Sequence, residues 1–258
     1  MKQSQFYYLL RRGLFSAGSA IIKSGLVMFN KFTTAGLSFP AQGSAEFNGT
    51  SDFIQTNDPF SHTNHTIAAW VYVDDTASAK NIFNARDAFN DGYALYMDAN
   101  ESIFYRFGDG SSQSTISSST TNANEWFFVV GTYNGSTQTL YVDGSVATST
   151  SASEVITNTT NATIGAVSYN TATALMEGNL ANVAIWNRAL SSDEINSVMW
   201  KPVQALTATE SNGLQAWYSL DDIASPTASL ASMEQLATDK DATIENKAAI
   251  TAAVNSLS

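Results

Sequence analysis

The chain has 258 residues, of which 44% are hydrophobic and only 14% charged, with no cysteine and a formal net charge of −11. That apolar fraction is enough for a packed core, which excludes global disorder, and the absence of cysteine excludes disulfide scaffolds and thiol redox chemistry. The charge is unevenly placed. Residues 1–31 hold five cations and no acid, whereas the remainder holds seven cations against 23 acids, a net of −16. A basic arm on an acidic body directs the arm toward something anionic, and it argues against nonspecific nucleic-acid binding by the body, since phosphate contacts need Lys and Arg.

The first 31 residues combine apolar runs with Lys2, Arg11, Arg12, Lys23 and Lys31. A secretory signal would need an uninterrupted apolar stretch and a prompt small-residue cleavage site, and Lys23 breaks the run. No uncharged span reaches the roughly 18–20 residues of a membrane-crossing helix. The favoured reading is an assembly arm that packs on a neighbouring protein through Lys2, Phe6, Arg11, Arg12, Phe15, Lys23, Phe29 and Lys31. A Gly/Pro/Thr-containing linker follows at 33–43.

Short β-type runs then arrive at intervals, each bounded by turn residues. They lie at 44–47, 53–55, 66–73, 81–84, 93–97 and 102–107. A meander at 124–147 follows, in which 126–133 is aromatic and β-branched and Asn134-Gly135 turns the chain into 139–142. Asp143-Gly144 there predicts a tight type I′ turn, because both central residues must take positive φ. Further runs lie at 161–165 and 178–186. Ser191 with Glu194 three residues on is a capping box, predicting a short helix that buries Ile195, Val198 and Met199 on one face. One more strand is expected at 213–220, and the Ala/Ser/Thr-rich end at 225–258 reads as a helical tail. Many short strands and hardly a helix predict an all-β sandwich or barrel.

Four segments resemble a family in its own order and spacing. S-A-E-F-N-G-T-S-D-F-I-Q at 44–55 is similar to the opening of a laminin-G-like, concanavalin A-like jelly-roll domain. T-I-A-A-W-V-Y-V at 66–73 resembles its next strand, and N-E-W-F-F-V-V-G-T-Y-N-G with L-Y-V-D-G its central meander. A-T-I-G-A and M-E-G-N-L-A-N-V-A-I-W-N-R-A-L-S-S-D-E-I resemble its closing strands and helix. The resemblance implies a jelly-roll β-sandwich of two antiparallel sheets. The expected division is arm and linker at 1–43, sandwich at 44–224 and tail at 225–258. The strand at 213–220 is similar to one that usually opens such domains. Too few residues follow it for a second sandwich, so it is expected to complete this one.

Chemistry is sparse in the sequence. The related hydrolases carry acids on alternate residues of one strand, so that both carboxylates face the scissile bond. No such pattern occurs here, and a non-enzymatic protein is expected. His62 and His65, the only histidines, read as a polar loop. No cofactor is required, but the resemblance implies a possible calcium site, with Asp91 as carboxylate, the Phe107 carbonyl, and Asn170 on a facing loop, hard oxygen donors that suit Ca²⁺. A glycan surface is expected to involve Tyr93, Asp109 and Tyr169, with Tyr96 and Tyr105 as further aromatic candidates. Trp70, Trp126 and Trp186 are expected in the core.

Two functions fit these features. The first is a virion structural, decoration or tail-appendage protein of a phage, bound to other virion proteins through its arm and forming a homo-oligomer or symmetric assembly. The second is a secreted or cell-surface carbohydrate-binding or adhesion module.

Overall fold

The computed structural model describes residues 43–73, 78–88, 90–118, 124–168 and 173–220. The arm and the C-terminal tail lie outside these residues, as do Tyr169 and Asn170. Among the described residues the strands are β1 (Ala45–Asn48), β2 (Ile54–Gln55), β3 (His65–Val73), β4 (Lys80–Ala85), β5 (Asp91–Met97), β6 (Ile103–Asp109), β7 (Gln113–Ser117), β8 (Phe127–Tyr133), β9 (Thr137–Val142), β10 (Ser145–Ser151), β11 (Thr163–Ile164), β12 (Glu177–Trp186) and β13 (Leu214–Tyr218). All pair antiparallel in two sheets. One runs β1-β12-β3-β8-β9-β10 and the other β2-β11-β4-β5-β6-β7.

Strand β13 settles the fate of the 213–220 run. It pairs with Val183–Trp186 of β12, while β1 pairs with Glu177–Leu180 of the same strand. The two short strands thus lie along successive halves of β12, and β13 completes this sandwich. At the centre of the meander, Asp143 and Gly144 take φ of 49° and 75°, and Ser145 pairs with Val142. The two-residue turn forms as its dipeptide requires. Asp143 also accepts the Phe128 amide through Oδ1, tying the turn back to β8.

Alternation along each strand fills the space between the sheets. Ile67, Ala69, Val71 and Val73 of β3 meet Tyr93, Leu95 and Met97 of β5 and Ile103, Tyr105 and Phe107 of β6 in one buried cluster. Burying a side chain of this size contributes about 1.5–3 kcal/mol. His65 belongs to this core, which corrects the loop expectation for it. Its ring stacks on Tyr93 at 4.2 Å, and Nδ1 lies 3.0 Å from the carbonyls of His62 and Thr63. Two carbonyls place the proton on Nδ1, so Nε2 accepts from the Tyr105 hydroxyl at 2.6 Å. Burial pushes the imidazole down to about 4.

The outer face of the seven-stranded sheet carries a second apolar layer. The helix α1 (Ser192–Val198) has the expected capping box of Ser191 and Glu194. Ile195, Val198 and Met199 are buried. Trp70 Nε1 donates to the Met199 carbonyl at 3.0 Å. Trp186 Nε1 donates to the Glu210 carbonyl at 2.8 Å, at the end of a second short helix, α2 (Ala208–Ser211). The continuous apolar run of β3 follows from this: one face meets the other sheet, and the opposite face meets the 187–213 segment. Trp70 and Trp186 are therefore buried, but outside the inter-sheet core. Trp126, expected in the core, is only half-buried and packs on Tyr72 at 5.7 Å between ring centroids.

Candidate functional site

The 187–213 segment covers much of the outer face of the seven-stranded sheet, and the other sheet presents the outer face of β4, β5, β6 and β7. Side chains there follow from parity. Tyr93, Leu95 and Met97 point inward on β5, so Gly92, Ala94 and Tyr96 point outward. On β6, Phe104, Arg106 and Gly108 share that outward face. Register sets them in rows: Gly92 opposite Gly108, Ala94 opposite Arg106, and Tyr96 opposite Phe104.

Each row does something different. A Cβ on Gly92 would lie 1.9 Å from the Ala85 carbonyl oxygen, and one on Gly108 would lie 2.1 Å from that of Asn90. The glycines let loop backbone rest directly on the sheet and form a rim. Opposite Arg106, the small Ala94 leaves room for a long side chain to lie along the surface. Arg106 uses it, donating from Nη2 to the Tyr96 hydroxyl at 2.8 Å and from Nε to Thr115 Oγ1 at 3.2 Å. Its guanidinium also sits 5.2 Å from the Tyr96 ring centroid. In the last row Tyr96 and Phe104 stack at 5.1 Å with only 10° between their planes. Tyr96, Phe104 and Arg106 are all half-buried, and Thr115 is exposed.

The other side of this face is walled by the chain between β11 and β12. Ser168 Oγ donates to Asn84 Oδ1 at 2.8 Å and accepts the Arg86 amide at 2.8 Å. Asn84 Nδ2 donates to Asn81 Oδ1 at 2.9 Å, and the Ala174 carbonyl accepts the Asn81 amide. The network buries Asn81, Asn84 and Arg86. Burial raises the Tyr96 hydroxyl above its ordinary range, while Arg106 and Arg86 pull it the other way. Both arginines are thus within electrostatic reach of that oxygen.

A family model for the concanavalin A-like lectin/glucanases superfamily, of laminin G type, matches residues 48–196. The chain belongs to this superfamily. No curated protein matches it. Among solved structures, a candidate carbohydrate-binding protein from Bacteroides ovatus is similar with a TM-score of 0.55 and 16% identity, covering 68% of this chain. This chain spans 51% of the Bacteroides protein, about half its length. The heptameric SAP-like pentraxin of Limulus polyphemus is similar with a TM-score of 0.50 and 16% identity, over 60% of this chain and 80% of its own. At such identities the likeness is one of superfamily fold.

The site residues expected from sequence separate on this superfamily scaffold. Tyr93 is fully buried, because strand parity turns it toward His65, and its hydroxyl donates to the Phe60 carbonyl. It cannot present a surface to a sugar, and the same holds for Tyr105. Asp109 ends β6 opposite Asp91, and each carboxylate organises its own loop. Asp91 Oδ1 accepts the amides of Asp87 and Ala88 at 2.8 Å. Asp109 Oδ1 accepts those of Ser112 and Ser111, which hold its carboxyl below the usual range. Phe107 buries its side chain, and its backbone runs inside the sheet between β5 and β7. Among the described residues no three His, Cys, Asp or Glu side chains come together. Asn170, the third member of the expected calcium set, lies outside the described residues. Phe104 and Arg106 were not singled out from sequence, although alternation in I-F-Y-R-F-G pairs them on one face.

Proposed function

We propose that the protein is a non-catalytic carbohydrate-binding module acting outside the cell, with the outer face of β5 and β6 as its binding surface. The observation that carries this reading is the coplanar Tyr96–Phe104 pair, half-buried on the outer face of β5 and β6 and flanked by Arg106 and Thr115. Aromatic planes match the apolar faces of sugar rings, and polar groups at the margin fix orientation. The same fold in a candidate carbohydrate-binding protein from Bacteroides ovatus supports the reading.

Catalysis is disfavoured by the carboxylates. Asp91 and Asp109 are register partners at the ends of β5 and β6, and hydrolysis by such a pair needs one of the two to stay protonated as general acid. The loop amides on Asp109 instead stabilise its ionised form, and Asp91 Oδ1 is taken up by the amides of Asp87 and Ala88. A virion role would act through the arm at 1–31, outside the described residues, and the aromatic pair favours adhesion over it.

The test is binding of the full chain to an oligosaccharide panel, with Tyr96→Ala and Phe104→Ala as variants. Saturable binding that each variant weakens about tenfold, with unchanged folding, is the expected result. An aromatic contact worth roughly 0.5–1.5 kcal/mol beyond its buried area gives that order of loss. Binding that both variants leave untouched would remove the face from the account.

A further inference from the structure

Independently of the glycan-binding reading, we infer that the turn between β8 and β9 is a site of self-modification, where Asn134 cyclises onto the Gly135 amide, loses ammonia and becomes aspartate and isoaspartate. Three Asn-Gly pairs occur in the chain, at Asn48, Asn134 and Asn212, and all three asparagines are exposed. Glycine after asparagine leaves the attacking nitrogen unhindered, because no Cβ crowds it. The sequence therefore offers three comparable sites, and the fold distinguishes them. Closing the ring swings the peptide plane that joins Asn to Gly, so a hydrogen bond on either end of that plane opposes closure. The Gly49 amide donates to the Met176 carbonyl at 2.8 Å. The Asn212 carbonyl accepts from Arg188 Nε at 2.6 Å. Among the described residues, neither the Gly135 N–H nor the Asn134 carbonyl has a hydrogen-bond partner.

The Asn134 side chain is also polarised for attack. Its Oδ1 accepts the amides of Ser136 and Thr137 at 3.0 Å and 2.9 Å, and the Ser136 hydroxyl at 3.0 Å. These donors draw charge from Cγ and stabilise the negative charge that gathers on Oδ1 as nitrogen adds. Asn48 Oδ1 accepts the amides of Thr50 and Ser51, each at 2.9 Å, so polarisation does not separate these two sites and the peptide plane does. The reaction balances with water as the sole co-reactant. A bond forms from Gly135 N to Asn134 Cγ, and the bond from Cγ to Nδ2 breaks. Nδ2 leaves as ammonia, carrying the proton that Gly135 N surrenders through solvent. Water then opens the cyclic imide. Cleavage between nitrogen and Cγ leaves aspartate, and cleavage between nitrogen and the main-chain carbonyl carbon leaves isoaspartate. Nothing is oxidised or reduced. Aspartate keeps an acceptor for the two turn amides, whereas isoaspartate inserts a main-chain carbon into the turn that the Tyr133–Gln138 pair closes.

The experiment holds the full chain in mildly alkaline buffer, folded in one arm and unfolded in urea in the other, and follows the three Asn-Gly peptides by mass spectrometry after proteolysis. In the folded arm, with circular dichroism unchanged, the Asn134 peptide is expected to convert about tenfold faster than those of Asn48 and Asn212. That is the order of one hydrogen bond opposing closure at each of the slower sites. Both aspartate and isoaspartate are expected at position 134. In urea the three rates are expected to converge, because the hydrogen bonds that separate them are gone. Equal conversion of the three peptides in the folded chain would overturn the inference, as would conversion of Asn134 in urea only. A lead of Asn134 that persists unchanged in urea would trace it to neighbouring residues rather than to the fold, and would overturn the argument from the peptide plane. Aspartate without isoaspartate would mean direct hydrolysis of the amide and overturn the ring.

Discussion

Lowering the pH should destabilise this protein well above the range where its carboxylates titrate, and His65 is the reason. Its imidazole is fully buried against Tyr93, and burial holds it at about 4 when folded, against 6.5 for an ordinary histidine. The sign follows from proton binding. Above 6.5 both states are neutral at this site and it contributes nothing. Below 6.5 the unfolded chain takes up a proton that the folded chain refuses, so stability falls until the folded pKa near 4 is reached. The full span is 2.5 pH units, or roughly 3.4 kcal/mol at 1.36 kcal/mol per unit. About 2 kcal/mol of it should be lost between pH 7 and pH 5, before most carboxylates protonate. Urea denaturation at several pH values measures this directly. His65→Phe keeps a ring against Tyr93 but deprives the Tyr105 hydroxyl of its acceptor. That variant should be less stable at pH 7 and should lose distinctly less stability than the wild type from 7 to 5, keeping only the smaller slope from His62, whose imidazole burial also lowers. A flat wild-type curve over that interval, or an equal slope in the variant, would refute the reasoning.

Three further outcomes follow from particular contacts. Gly131→Ala would place a Cβ 2.7 Å from the Tyr105 ring, which its bond to His65 holds in place, and overpacking should cost about 1–3 kcal/mol in denaturant unfolding. Ser191→Ala removes the side-chain half of the α1 capping box and should cost about 1 kcal/mol, read as a lower melting temperature. Gly92→Ala combines a φ of 57° with the 1.9 Å approach to the Ala85 carbonyl oxygen. It should destabilise more than Gly131→Ala and distort the rim, which a loss of near-ultraviolet dichroism would report.

The architecture was legible wherever apolar alternation ended in turn chemistry. The 66–73 run, the Asp143-Gly144 turn and the Ser191–Glu194 box all formed as their residues require. Strand β7 was not legible, because Q-S-T-I-S at an edge has one apolar residue and needs no more. The candidate site was legible only in part. Tyr93 and Tyr96 are three residues apart on one strand, so sequence places them on opposite faces without saying which face is inward. That choice is made by contacts with His65 of the facing sheet and Phe83 of the neighbouring strand, which local pattern does not contain. His65 itself looked like loop, because its four polar neighbours conceal a ring that the core encloses. The tryptophans erred in the same way. Apolar runs announce burial, and only the 187–213 segment decides that Trp70 and Trp186 are buried outside the sandwich.

The aromatic pair on the outer face of β5 and β6 is what the functional account stands on. The most direct measurement is titration of an oligosaccharide panel against the wild-type chain and against Tyr96→Ala/Phe104→Ala. The account predicts saturable binding by the wild type and its loss in a double variant that unfolds at the same denaturant concentration. Equal binding by both proteins, or none by the wild type, would contradict it.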